Sequence, residues 1–212
     1  MEKNIKSVPW SENTIEKGLQ LRFACGTSGY ELLLRMGLPF PSVRSLQNRV
    51  EHITLKPGLF DSVFDLMASK VKEMNAQEKL CVLSFDEMSL QPKYEYDVQH
   101  GSFDGECTLA RSQRKVQGSD NPLATKALVF NLGGLTTRWK KVVGFHFTAN
   151  SFSWSCLKDL IVEIVSQCSR IGLHVAAVVC DMGPCNQAMW RSFGISCSRG
   201  KICNKIPHPS DS

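Results

Sequence analysis

At residue 79 the spacing of apolar side chains changes, and that change limits the chain to few architectures. Before it, apolar residues recur every three or four positions; after it, they alternate or run together in short β-branched stretches. "KLCVLSFDEMSL" (79–90) predicts a strand, "PKYEYDV" (92–98) a second and "GSFDGECTLA" (101–110) a third, in meander order. The polar, basic loop "RSQRKVQGSDNP" (111–122) leads to two apolar strands, "TKALVFNLGGL" (125–135) and "KKVVGFHFTA" (140–149). "SWSCLKDLIVEIVSQCSRIG" (153–172) predicts a helix capped near Ser153 and closed by Gly172, and "LHVAAVVCDMG" (173–183) returns to strand. Antiparallel strands, then a helix, then a buried strand of parallel type make an α/β layer fold with a mixed sheet.

Upstream, residues 11–56 read as a small all-α module. Ser11 is a candidate N-cap; Ile15, Leu19 and Phe23 lie on one helical face; a short second helix follows, and a third begins after Pro41-Ser42 with Val43, Leu46, Val50 and Ile53 facing inward. Arg44, Gln47, Asn48 and Arg49 are left on or near its outer face, as in the recognition helix of a helix-turn-helix reader of double-stranded DNA. A plain helical packing module has the same pattern. "LKPG" (55–58) then breaks the chain before a connecting amphipathic helix over 59–76, whose Phe60, Val63, Phe64, Met67, Val71 and Met74 form a stripe suited to a core or a dimer seam.

No apolar run approaches the roughly 20 residues of a membrane span, and the first residues lack the apolar centre of a signal peptide, so a membrane partner is not expected and an intracellular protein is. The nine cysteines contain no C-x-x-C pair and fit neither a disulfide framework nor a usual zinc site. The nearest thing to a metal cluster, Cys180, Cys185, Cys197, Cys203 and His208, has no zinc-finger spacing, and small buried hydrophobes account for the thiols better. Charge is uneven: residues 59–110 carry 10 acidic and 4 basic groups, residues 111–141 carry 7 basic and 1 acidic. A phosphate backbone across a carboxylate site would suit that division, and so would ordinary solvated surface.

Two aspartates end apolar strands, Asp86 after "CVLSF" and Asp181 after "AAVVC". If those strands are neighbours, both carboxylates emerge at one sheet edge, where hard oxygen ligands can share divalent cations and support two-metal phosphodiester chemistry. Alternatively each aspartate caps the turn after its strand.

The segments "VLSFDEMSLQPKYEYD", "NPLATKALVFNLGGLTTRWKKVVGFHFTANS" and "GLHVAAVVCDMGPCNQAMWRSFGI" resemble the ribonuclease H-like core of the P-element transposase family, and the region from Ser11 to about Lys56 resembles the helix-turn-helix region that precedes that core. The resemblance implies a partial ribonuclease H-like domain over residues 79–208, a nuclear location and descent from enzymes that cut and join DNA with Mg2+ or Mn2+. Asp86 then corresponds to the first catalytic acid and metal ligand, and Asp181 to the second. Asn186 and Trp190 match the family string and are expected to shape the turn and pack its helix, while Glu87, next to the first acid on a strand, should point to the opposite face.

The family's N-terminal zinc module is not seen, and the chain stops at Ser212, before the region that supplies the family's third acid. The expectation is therefore a transposase-derived DNA-binding protein inactive alone, or a non-catalytic repressor or interaction protein that pairs with itself or with a longer transposase relative, or a gene-model fragment.

Overall fold

The structure is a computed structural model and describes residues 10–51, 56–97, 101–109, 122–149, 152–198 and 200–209. The chain divides into two compact units, Met1–Lys56 and Pro57–Ser212.

In the first unit, α1 (Glu12–Arg35) begins where the Ser11 hydroxyl accepts a hydrogen bond from the Thr14 amide at 3.2 Å. It is interrupted at Gly26, whose φ of 75° and ψ of 175° break the helical path, so the segment behaves as two helices, as the sequence predicts. After the turn, α2 (Val43–Glu51) begins with the Ser45 amide bonded to the Ser42 hydroxyl at 3.1 Å. Tyr30 and Leu46 are fully buried, and the Tyr30 hydroxyl donates to the Pro41 carbonyl at 2.9 Å, which satisfies its only buried polar atom. Val50, expected inside, is 42% exposed: α1 is the helix that covers α2 among the described residues, and its cover is spent on Leu46 and half of Val43. Ile53 lies outside the described residues.

The second unit is built on a five-stranded sheet. Its strands are β1 (Gly58–Leu59), β2 (Leu80–Ser89), β5 (Lys126–Gly134), β6 (Lys140–Thr148) and β7 (His174–Val179), in the order β1-β6-β5-β2-β7. All neighbours are antiparallel except β2 and β7, which run parallel. The helix α4 (Trp154–Arg170) makes that possible, because a parallel return needs a crossover element. Along β2, Cys81, Leu83 and Phe85 are buried and face Gly134, Leu132 and Phe130 of β5, with the Phe85 and Phe130 rings 5.5 Å apart. Leu157, Ile161, Ile164 and Cys168 of α4 are buried too, and the Cys168 thiol lies against that of Cys81, which puts α4 over that face of β2.

The amphipathic stripe predicted over 59–76 narrows to α3 (Asp61–Val71), whose Phe64, Met67 and Val71 are core residues of this unit. The residues just before it form β1 on the edge of β6, where a Cβ on Gly144 would lie 2.6 Å from the Gly58 carbonyl; only glycine permits that approach.

The predicted meander is not formed. β3 (Glu95–Asp97) and β4 (Ser102–Asp104) pair only with each other, while β2 pairs with β5 and β7. β2 needs long apolar partners on both sides, and β5 gives it nine paired residues. Among the described residues the hairpin shows three residues in each strand, with Tyr94 and Tyr96 each 53% exposed. After β7 come α5 (Pro184–Ser192) and a hairpin of β8 (Ser196–Ser198) and β9 (Lys201–Cys203), where the sequence shows little periodicity. None of the helices among the described residues is long and apolar enough to cross a membrane.

Candidate active site

Strand alternation and register bring the two aspartates together. Ser84 of β2 pairs with Val179 of β7; Asp86 lies two residues past Ser84 within β2, and Asp181 two past Val179 in the turn after β7, so the register carries both acids toward the same end of two parallel neighbours. The thiol of Cys180, next to Asp181 in the chain, responds to both acids. Burial pushes its pKa up to about 11, the carboxylates of Asp181 and Asp86 both add to the rise, and a hydrogen bond with Trp190 opposes it. One thiol thus feels both acids.

Each carboxylate is tethered by one oxygen. Asp86 Oδ1 accepts the Glu87 amide at 2.8 Å. Asp181 Oδ1 accepts the Gly183 amide at 3.1 Å and the Asn186 side-chain amide. The turn is fixed further by Pro184 at the first position of α5 and by Gln187, whose side chain donates to the Met182 carbonyl at 2.7 Å. Both aspartates are exposed at the surface, and the second oxygen of each has no hydrogen-bond partner among the described residues.

Glu87 points the other way, as alternation requires. Its carboxylate accepts from the Lys126 ammonium at 2.7 Å and from the buried Thr148 hydroxyl at 3.2 Å, so it ties β2, β5 and β6 together and is not free for a ligand. It also contributes, after burial, to raising the Cys185 thiol to about 11. Lys126, at the end of the basic segment from Arg111 that would suit a DNA backbone, is therefore occupied by Glu87; residues 111–121 lie outside the described residues. The sequence alone does not reveal Lys126 and Thr148 as partners of Glu87, because only the pairing of β5 with β6 sets them opposite each other.

The available donors are carboxylate oxygens beside a thiol that stays protonated at neutral pH. That set suits a hard cation that prefers oxygen and does not suit zinc. Asp86 and Asp181 are the residues that could hold it. Among the described residues no group of three His, Cys, Asp or Glu that could hold a metal ion is found. The nine cysteines are all free thiols.

In the first unit, Arg44, Gln47 and Asn48 are exposed on α2. Arg49 is half-exposed and forms an ion pair with Glu12 of α1, so its guanidinium already has a partner.

A mixed sheet with one parallel pair of strands among antiparallel neighbours is that of a domain of ribonuclease H type. Residues 55–194 match the model of the family described as TNP-like, RNase H N-terminal domain, and the chain belongs to that family. It is 31% identical over 186 residues to the Drosophila melanogaster transposable element P transposase, a match that takes in 88% of this chain and 21% of that relative's length. Among solved structures it is similar to the Drosophila P element transposase strand transfer complex, with 28% identity, a TM-score of 0.56, and 90% of this chain against 38% of that one. A pre-cleavage Mos1 transpososome aligns with 9% identity and a TM-score of only 0.24. The expected fold class, a mixed ribonuclease H-like sheet with flanking helices, is the one found, and the domain is transposase-related.

Proposed function

We propose that this chain is a DNA-handling domain derived from a transposase, in which Asp86 and Asp181 hold Mg2+ or Mn2+ against a phosphodiester of double-stranded DNA. The placement of the two carboxylates two residues beyond Ser84 and Val179, the last paired residues of parallel neighbours, carries this reading. Each carboxylate keeps one oxygen without a hydrogen-bond partner among the described residues, which supports a ligand site beyond the turn contact that Asp181 makes. When bound, such ions supply Lewis-acid activation of a water or a 3′-hydroxyl and neutralise the leaving oxygen. The residues of the chain orient the carboxylates: the β2 backbone and the Glu87 amide hold Asp86, and the turn into α5 holds Asp181. Completing the reaction takes more ligands than the described residues bring together, so the proposal is a metal-holding, DNA-contacting domain that does not carry out strand transfer unaided. Mn2+ should raise the thermal midpoint of the wild-type chain and leave the Asp86→Asn, Asp181→Asn double variant unmoved; an equal rise in both would remove the metal assignment.

The exposed Arg44, Gln47 and Asn48 on α2 support a second, compatible part of the reading, in which the first unit contacts DNA in the nucleus and the chain works as a binder or repressor, alone or with a longer relative. Arg49 contributes there only by exchanging Glu12 for a phosphate. Arg44→Ala with Arg49→Ala should weaken DNA binding and flatten its dependence on salt, by a slope of roughly 0.9 for each phosphate that is no longer neutralised; an unchanged slope would count against the assignment.

A further inference from the structure

Asn186 was expected from the sequence to shape a turn, and its geometry is more specific than that. Its side-chain amide donates to Asp181 Oδ1 and lies 3.4 Å from the Asp181 carbonyl oxygen, reaching back from the first turn of α5 to the residue just beyond the end of β7. A carboxylate can only accept hydrogen bonds, so the amide must present its nitrogen to Asp181 and its oxygen the opposite way. That oxygen, Oδ1, is buried and has no hydrogen-bond partner among the described residues. Leaving a buried acceptor unpaired is costly, and the reverse orientation would set two oxygens against each other. The carboxylate, not the surroundings of Asn186, dictates how the amide lies.

The consequence for Asp181 is asymmetry. With the Gly183 amide at 3.1 Å and the Asn186 amide both on Oδ1, that oxygen is spent on protein donors, and Oδ2 is the one left open. Asp86 shows the same division in simpler form, with Oδ1 on the Glu87 amide. Asp86 sits within β2, paired there with Val129 of β5, so the sheet fixes its direction; Asp181 lies beyond the last paired residue of β7 and depends on its side-chain contacts.

We infer that Asn186 is a positioning residue: it clamps Oδ1 of Asp181 so that Oδ2 faces Asp86 as a single-oxygen ligand for a divalent cation. The inference rests on the metal reading of the two acids. Hydrogen-bond partners of metal-binding carboxylates commonly matter by tenfold or more in metal affinity, although they never touch the ion.

The test uses the full 212-residue chain and Mn2+ alone, with the electron paramagnetic resonance signal of unbound Mn2+ giving the dissociation constant. Asn186→Leu keeps the shape and removes the donor. It should weaken Mn2+ binding roughly tenfold while the thermal midpoint measured without metal stays near that of the wild type, and Asp181→Asn should abolish binding. If Asn186→Leu does not fold, Asn186→Ala is measured the same way, with the same weakening expected. Wild-type affinity in the folded asparagine variant, with binding lost in Asp181→Asn, overturns the positioning role and leaves the metal pair standing. A wild-type chain that binds Mn2+ no better than Asp181→Asn overturns both.

Discussion

β2 and β7 deliver one acid each to the same end of the sheet, yet they hold it by different means. β2 is a central strand, paired along nine residues with β5 on one side and with β7 on the other, and its Cys81, Leu83 and Phe85 are buried. β7 has one neighbour among the described residues, and Ala176, Ala177 and Val179 are exposed along it. Backbone pairing with Val129 of β5 fixes Asp86, whereas Asp181, past the last paired residue of β7, relies on a proline-started helix, an amide from Gly183 and the side chain of Asn186. The proposed two-carboxylate site thus has one acid set by the core of the fold and one set by a turn, and the two should respond differently to substitution.

The largest separation is expected in stability. Phe85→Ala on β2 removes a ring packed 5.5 Å from that of Phe130 and should cost about 3–5 kcal/mol in urea unfolding. Val179→Ser on β7, at a side chain 51% exposed, should stay within about 0.5 kcal/mol. Equal losses would mean that β7 is as enclosed as β2 and would erase the contrast.

A smaller effect lies one residue past Asp86. Lys126→Met leaves Glu87 with Thr148 as its remaining side-chain partner, and since the ion pair keeps about a third of its surface in water the loss should be about 1 kcal/mol. No loss at all would show that the sheet fixes the end of β2 without help from its side chains.

The sequence made the elements legible where the physics is local. Helical spacing, the Ser11 and Ser42 caps and the break at Gly26 follow from neighbouring residues, and the alternation along β2 correctly sends Asp86 and Glu87 to opposite faces. Partner choice is not local. The meander expected from three successive strands gave way to pairings of β2 with segments that begin at Lys126 and His174, because a long apolar strand gains more from equally long apolar partners than from the nearest polar hairpin. The same limit hid the Glu87, Lys126 and Thr148 cluster, which needs three strands in register, including the shift between Phe130 and Asn131. The aspartate pair could be anticipated because each acid ends an apolar run. The clamp by Asn186 could not, since a match to a family string says that a residue is present and not what its amide touches.

The most direct test is a cycle of Mn2+ titrations on the wild type, Asp86→Asn, Asp181→Asn and the double variant, with each chain's metal-free stability measured alongside. If the two strands build one site, each single substitution should lose nearly all the binding that the double variant loses. Losses that simply add, with each single variant keeping its own share of the Mn2+, would mean two separate acids at two separate turns, and the shared metal site would be wrong.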